Sequence, residues 1–236
     1  MHLLIPAAGK GQRMVGEWQR LQREQRNKLL LELLGEPILA WTLKAANAAE
    51  RIRWIGIIGQ PVDWPDFKDM IASLGLTKPV HLIQGGTTRQ ESVYNGLQAL
   101  PNDATHVLIH DGARCLTTPS LFNRCADALD DVSGFIAAIP VKDTIKVVSP
   151  ETGIIESTPD RSNLWAAQTP QGFDVAQLRK CHEKGRNEGW SVTDDAALFE
   201  KCDLSVHIVE GEETNLKVTT PVDLAIAEFI LRSRGL

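Results

Sequence analysis

The sequence predicts an α/β fold: a mostly parallel twisted sheet with helices on both faces, plus a projecting β-hairpin arm. Three observations predict it. Short β-rich runs alternate with helix-period patterns as far as Val141. Beyond Val141 the alternation yields to two β-rich runs around the turn signal Pro150-Glu151-Thr152-Gly153. No internal repeat, low-complexity tract or linker interrupts the chain, so residues 1–236 are expected to form a single domain, with the arm at about 142–160.

The elements follow in order. His2 to Pro6 reads as a buried strand. Pro37 to Glu50 reads as a helix with proline near its first turn and Ile38, Trp41, Leu43 and Ala45 on its apolar face. Trp54 to Ile58 is a second strand, Asp66 to Leu74 a short helix ended by Gly75, and Val80 to Gln84 a third strand. Thr88 to Leu100 is the clearest helix, with a capping box from Thr88 to Glu91 and Val93, Leu97 and Leu100 on one face. Thr105 to His110 is a strand, Thr118-Pro119 opens a helix, and Gly134 to Val141 is a strand. Thr144 to Val148 and Ile154 to Ser157 form the hairpin, either a dimer arm or an ordinary surface hairpin. Helices are expected to begin near Asp174 and Thr193, a strand to cover Leu204 to Val209, and a last helix to run from Thr220-Pro221 to about Ser233. Gly16 to Lys28 carries Arg20, Arg23, Arg26 and Lys28 with little apolar periodicity. It reads as a solvated loop or as a basic lid over a polyphosphate.

Composition excludes several classes. A net charge of −5 argues against a general nucleic-acid binder, which needs a basic face to neutralise phosphates. No stretch approaches about 18 apolar residues and no signal peptide is seen, so no membrane span and a cytoplasmic location are expected. Cys115, Cys125, Cys181 and Cys202 form no CxxC pair and read as reduced, mostly buried thiols.

The chemistry concentrates after the strands. Pro6-Ala7-Ala8-Gly9-Lys10-Gly11-Gln12-Arg13-Met14 follows the first strand, where small residues let backbone N–H groups approach phosphate oxygens. A dinucleotide fingerprint would need a third glycine where Met14 stands, and the P-loop pattern is absent. A small-residue turn followed by Gly-x-x-Arg suits a nucleotidyltransferase, supplying N–H donors and a cation. Asp111 stands at another strand end, placed to orient a metal–phosphate group, and Arg114 can grip an anion; a structural Asp111–Arg114 pair is the plainer reading. Gly85-Gly86 can admit a flat base, with Ser92 on the following helix. Lys142-Asp143-Thr144, Asp160-Arg161-Ser162 and Asn215 to Thr219 add cations that, with Arg13 and Lys28, could neutralise several phosphates in an acidic protein.

PAAGxGxRM, NKLLLELLGEPIL, GGTTRQESVYNGL, HDGAR, VKDTIK, DRSNLWAAQTPQ, TDDAALFE and EGEETNLKVTTPVDL occur in this order. Through them nearly the whole chain resembles the 2-C-methyl-D-erythritol 4-phosphate cytidylyltransferase family of the non-mevalonate isoprenoid pathway, with a Rossmann-like nucleotidyltransferase fold. The resemblance implies attack of a polyol phosphate oxygen on the α-phosphorus of CTP, with pyrophosphate leaving. It implies that Ala7, Ala8, Gly9 and Gly11 line the triphosphate and that Arg13 and Lys28 stabilise the transition state. It places Gly86 and Ser92 at the cytidine, and Asp111 and Gly112 near the ribose, the metal and the incoming phosphate. It assigns Arg114, Thr144, Arg161, Thr169, Thr193 and Lys217 to the acceptor pocket, with Arg161 and Lys217 positioning the nucleophile. It also implies Mg2+ or another divalent cation held mainly by phosphate oxygens, and a homodimer formed through the arm.

The chain departs from the family pattern in two places. Arg13 and Lys28 lie further apart than in most relatives, and Asn27-Lys28-Leu29 replaces the usual Pro-Lys-Gln, leaving Arg20, Arg23 or Arg26 as alternatives to Lys28. Thr87 stands where many relatives carry Asp. Rival readings are a sister enzyme acting on ribitol 5-phosphate, a nicotinamide-dependent oxidoreductase, and a non-catalytic nucleotide sensor.

Overall fold

Alternation along the central strands sends successive side chains to opposite faces, and each face is covered. In the computed structural model, which describes residues 1–9 and 27–235, the first strand is β1 (His2–Pro6). Then come the two-residue strands β2 (Glu32–Leu33) and β3 (Glu36–Pro37), followed by β4 (Trp54–Gly59), β5 (Val80–Gln84), β6 (His106–Ile109) and β7 (Gly134–Pro140). The arm strands β8 (Val147–Val148) and β9 (Ile155–Ser157) precede β10 (Trp165–Asp174) and β11 (His207–Glu210). The helices are α1 (Ile38–Ala48), α2 (Trp64–Ser73), α3 (Arg89–Gln98), α4 (Pro119–Ala128), α5 (Val175–Asn187), α6 (Asp195–Lys201) and α7 (Pro221–Ser233).

Leu3, Ile5, Ile55, Ile57 and Leu108 face one core with α1, α2, α4 and α7, through Leu43, Phe67, Phe122 and Leu231 among others. Leu4, Ile58, Val107 and Ile109 face a second core with α3, α5 and α6, through Val93, Leu97, Leu178 and Phe199. Each of these large side chains contributes about 1.5–3 kcal/mol of burial. The sheet order is β11-β7-β10-β6-β1-β4-β5. Every pairing in it is parallel except those of β10, which runs antiparallel to both β6 and β7. From β1 the chain proceeds to β4 and β5 on one side and then to β6 on the other, so the strand order reverses beside β1. Crevices at such reversals, beyond the carboxyl ends of the strands, are where open α/β sheets take ligands.

Several expectations need correction. The sequence does not predict β10 as a strand, because WAAQTPQGFD is nearly free of β-branched residues. Its position between β6 and β7 supplies the pairing that its composition does not. The pairing with β7 shifts between Ala167 and Gln171, and the Thr169–Pro170 peptide within that stretch is cis. β11 begins at His207 rather than Leu204. Pro37 is the N-cap of α1 rather than a helical residue, and it pairs with Glu32 in a small hairpin. The arm is a hairpin, but its ladder is shorter than expected. The Thr88 capping box is half formed. Thr88 Oγ1 accepts from Glu91 N at 3.0 Å, while the Glu91 carboxylate reaches on to the N–H and hydroxyl of Thr87. A full box forms instead at Thr220 and Asp223, opening α7.

Candidate active site

An open cleft of about 1410 Å³ runs along the carboxyl ends of β1, β4, β5 and β6. Ala7, Ala8 and Gly9 line it from β1, Gln60 from β4, Gly85 to Thr88 from β5, and Asp111 and Gly112 from β6. The loops after β1 and β5 touch. A Cβ on Gly85 would lie 2.7 Å from the Ala8 Cβ, so glycine is what permits the approach. Asn27 enters the same corner. Its amide donates to Ala7 O at 2.5 Å and to Asp63 at 2.9 Å, and its Oδ1 accepts from Leu29 N. The residue that departs from the family pattern thus fixes the backbone around Lys28 against the exit of β1. Lys28 lines the cleft, and its ammonium donates to Val218 O at 2.9 Å.

At the β5 side, Ser92 is 2% exposed. Its Oγ accepts from Gly86 N at 3.0 Å and donates to Thr88 O at 2.8 Å. Gln60 Nε2 donates to Gly86 O at 3.1 Å, so both polar groups of the Gly86 backbone are held. Thr87 N and Oγ1 each donate to Glu91 at 2.7 Å, and these bonds hold the Glu91 carboxyl below its ordinary range. This side is a rigid wall built from local hydrogen bonds.

At the β6 side stands an alternation of charges. Lys217 Nζ lies 2.7 Å from Asp111 Oδ2, and Arg89 Nε lies 3.8 Å from Asp111 Oδ1. Burial works against the Asp111 charge, but Lys217 and then Arg89 outweigh it and pull the carboxyl down to about 2. His110, just before it, is fully buried between the hydroxyls of Thr169 (3.0 Å from Nδ1) and Thr117 (3.2 Å from Nε2). Burial lowers its pKa to about 3, so its ring is neutral at pH 7. Thr169 Oγ1 also accepts from Asp111 N at 3.0 Å, which ties the backbone of Asp111 to this buried set. Asn215, fully buried, donates to Gln168 Oε1 and Thr169 O and accepts from Thr117, and so anchors the loop that carries Lys217.

The structure brings Ala7, Ala8, Gly9, Lys28, Gly86, Ser92, Asp111, Gly112 and Lys217 to this one cleft. Gly11, Arg13 and the segment from Gly16 to Arg26 lie outside the described residues. Arg114, Thr144, Arg161, Thr169 and Thr193, all expected in the acceptor pocket, do not line the cleft. Arg114 is 9% exposed and its guanidinium donates to Asn215 O at 2.6 Å and to Ala167 O at 3.4 Å. It clamps two backbone segments, and the partners of Asp111 are Lys217 and Arg89 rather than Arg114. Thr169 is buried under Asp111. Thr193 is exposed in the turn before α6. Thr144 is exposed on the arm and Arg161 in the turn just after it, where Arg161 donates to Lys142 O at 3.0 Å.

Sequence reasoning missed Arg89, Gln60 and Asn27. Arg89 carried a signal: it follows the cap residue Thr88, and a cation in the first turn of a helix opposes the helix dipole. Among the described residues no group of three or more His, Cys, Asp or Glu could hold a metal, and no helix is long and apolar enough to cross a membrane. Burial pushes the thiols of Cys115, Cys125 and Cys181 up to about 12, so they stay protonated at pH 7.

Residues 1–233 match the family model of 2-C-methyl-D-erythritol 4-phosphate cytidylyltransferase. A protein of that name from Nostoc punctiforme is 68% identical over 235 residues, covering 100% of both chains. Another, from a Synechocystis species, is 62% identical over 235 residues, covering 100% of this chain and 98% of its own. The crystal structure of 4-diphosphocytidyl-2C-methyl-D-erythritol synthase from Anaerococcus prevotii superposes with a TM-score of 0.85 at 30% identity, covering 98% of this chain and 97% of its own. That of 2-C-methyl-D-erythritol 4-phosphate cytidylyltransferase from Thermus thermophilus gives 0.75 at 31% identity, covering 98% of each.

Proposed function

The chain belongs to the 2-C-methyl-D-erythritol 4-phosphate cytidylyltransferase family, and from that premise we propose how its cleft performs the transfer. The enzyme moves the cytidylyl group of CTP to 2-C-methyl-D-erythritol 4-phosphate, giving 4-diphosphocytidyl-2-C-methyl-D-erythritol and pyrophosphate. The observation that carries this reading is the convergence on one cleft of the small-residue loop Ala7 to Gly9, the Gly86–Ser92 wall and the Asp111–Lys217 pair.

An acceptor phosphate oxygen attacks the α-phosphorus, and the bond to the oxygen bridging to the β-phosphate breaks. The attacking group is largely ionised near neutral pH, since a phosphate monoester has a second pKa of about 6. No general base is therefore required. Asp111 has a pKa of about 2 and carries no proton to donate at neutral pH. Its charge instead holds the Lys217 ammonium at the β6 end, where that cation meets the acceptor phosphate. Charge builds on the non-bridging oxygens and on the leaving pyrophosphate, so positioned cations and N–H donors do most of the work. Lys28 sits beside the Ala7–Gly9 loop for this purpose, with Arg13 as its partner. Gly86 and Ser92 form the wall against which the cytidine rests.

The cleft fits a divalent cation such as Mg2+ held chiefly by the substrate. It offers the carboxylate of Asp111 beside the phosphate-facing loops, and such an ion keeps most of its ligands as phosphate and water oxygens. When bound it would neutralise charge on the triphosphate.

The enzyme works as a homodimer in which the arm of one copy reaches the cleft of the other. Ile145, Val147, Val148, Ile154, Ile155 and Trp165 are all exposed on or beside the arm, an apolar surface that a single chain leaves uncovered. The arm also carries Thr144, and Arg161 lies at its base; both are expected acceptor residues that do not line the chain's own cleft. A cytosolic location suits thiols kept protonated by burial.

Incubation with CTP, Mg2+ and each polyol phosphate in turn, with pyrophosphate release as the readout, tests the assignment. Turnover of ribitol 5-phosphate without turnover of 2-C-methyl-D-erythritol 4-phosphate would overturn it. Sedimentation of the wild type as a monomer at micromolar concentration would overturn the dimer.

A further inference from the structure

Arg89 is the charged cleft residue whose position its own helix cannot explain. It is the first residue of α3, where the helix dipole disfavours a cation. Its guanidinium is nevertheless held in place, and the holding group comes from a distant part of the chain. Asp195, 1% exposed, receives Arg89 Nη1 on Oδ2 at 2.7 Å. Its other oxygen, Oδ1, lies 3.1 Å from Nε2 of His182, a fully buried residue of α5. A carboxylate only accepts, so His182 carries its proton on Nε2 and donates it. The support continues outward. Asp194 caps α6 by accepting from Ala197 N at 3.1 Å, and it accepts from Gln171 Nε2 of β10 at 2.8 Å. The sheet thus fixes the start of α6, which fixes Asp195, which fixes Arg89.

We propose that Asp195, backed by His182, is a positioning residue for the transfer reaction, holding the Arg89 guanidinium at the Asp111 end of the cleft. The row runs Lys217, Asp111, Arg89, Asp195, His182, with successive separations of 2.7, 3.8, 2.7 and 3.1 Å. Its order matters. With Asp195 in place, Arg89 divides its attraction between two carboxylates and stays 3.8 Å from Asp111, which leaves Asp111 to Lys217. Without the Asp195 charge, Arg89 closes on Asp111 and competes with Lys217 for it. The ammonium that meets the acceptor phosphate then loses its fixed position. Nη2 of Arg89 makes no hydrogen bond among the described residues, so the same guanidinium also offers the cleft a donor edge. Burial works against the Asp195 charge, yet Arg89 and His182 hold its carboxyl below the ordinary range, consistent with an ionised link in the row.

This inference rests on the function proposed above, and the test separates the two. Asp195→Asn keeps the volume but turns a donor toward either Arg89 or His182. Its kcat/KM for 2-C-methyl-D-erythritol 4-phosphate is expected to fall by about tenfold to a hundredfold, the scale of an ångström-sized misplacement. The directly measured dissociation constant for CTP should hold. The loss should vanish in an Arg89→Lys background, because both changes break one unit. A folded Asp195→Asn enzyme with unchanged kcat/KM, or a loss that multiplies with that of Arg89→Lys, overturns the proposal. If Asp195→Asn does not fold, His182→Gln carries the same comparison and the same two outcomes. The second readout needs no turnover. The guanidinium ¹H–¹⁵N resonances of Arg89 should be separate in the wild type and merge by rotation in either variant; resonances already merged in the wild type overturn the claim. A wild type inert on CTP and 2-C-methyl-D-erythritol 4-phosphate overturns the function instead, and leaves these resonances to decide the positioning role.

Discussion

The cleft wall from Gly85 to Ser92 and the arm from residue 142 to 160 are both short segments beyond sheet strands, yet they treat their side chains in opposite ways. In the wall, the Gly86 N–H, the Gly86 carbonyl, the Ser92 hydroxyl and the Glu91 carboxylate each find a partner within the same chain. In the arm, Val147, Val148, Ile154 and Ile155 face outward, and the ladder between β8 and β9 is two residues long on one side. A two-stranded ribbon of that length has no independent stability. The wall is therefore finished by its own chain, and the arm is left open by it. Pre-organisation sits where the nucleotide must be held in one geometry. The unfinished apolar surface sits where, in the proposed dimer, a second copy would complete the acceptor pocket.

The largest losses are expected at the cations that the proposed function assigns to the reaction. Arg13→Ala should lower kcat by about two or more powers of ten, by analogy with loss of an oxyanion donor. A change confined to KM would show that the residue binds both states equally. Lys217→Ala removes the close partner of Asp111 and should lower kcat/KM for the polyol phosphate by about a hundredfold. CTP binding should suffer less, and equal losses for both ligands would contradict an acceptor-side role for Lys217.

The unfinished side is sharpened by mixing. Arg161→Ala and Lys217→Ala dimers, each nearly inactive, should regain about a quarter of wild-type activity when subunits exchange at random, because half the dimers then hold one intact site. No recovery after proven exchange would place Arg161 and Lys217 in the same chain's site. A last effect is on stability and belongs to the foundation of the cleft. His110 has a pKa lowered to about 3 in the fold, so between about pH 6.5 and 3 the unfolded chain binds more protons. Stability should therefore fall as pH drops through that window, with a slope contribution of up to about 1.4 kcal/mol per pH unit. Asp111, with its pKa depressed to about 2, adds its own acid loss only below about pH 3.8. His110→Gln should flatten the urea midpoint against pH between about pH 4 and 6. Parallel curves for variant and wild type would show that the buried ring is not the group responsible.

Legibility followed range. Thr88, Thr118, Asp174 and Thr220 each cap a helix by accepting a bond from an N–H three residues on, and each stands at or beside an expected helix start. The loop from Ala7 to Gly9 was legible because small residues after a buried strand act locally. β10 was not legible, since its ladder bonds come from neighbours placed by the sheet and its own residues lack the strand signal. Arg114 was read from its charge as an anion ligand. Its burial against the Asn215 and Ala167 carbonyls follows from contacts 101 and 53 residues away.

The sequence by itself determined the strand–helix alternation, the two covered faces, the small-residue loop and the family. All of these are written in periodicity or in residues a few positions apart, where chain geometry leaves little freedom. Only the tertiary structure decided that Asp111 pairs with Lys217, that Arg89 is steadied by Asp195 across 106 residues, and that Thr144 and Arg161 stand outside their own cleft. Those facts depend on which strand lies beside which. That order is settled by the burial of whole sheet faces rather than by any local spacing.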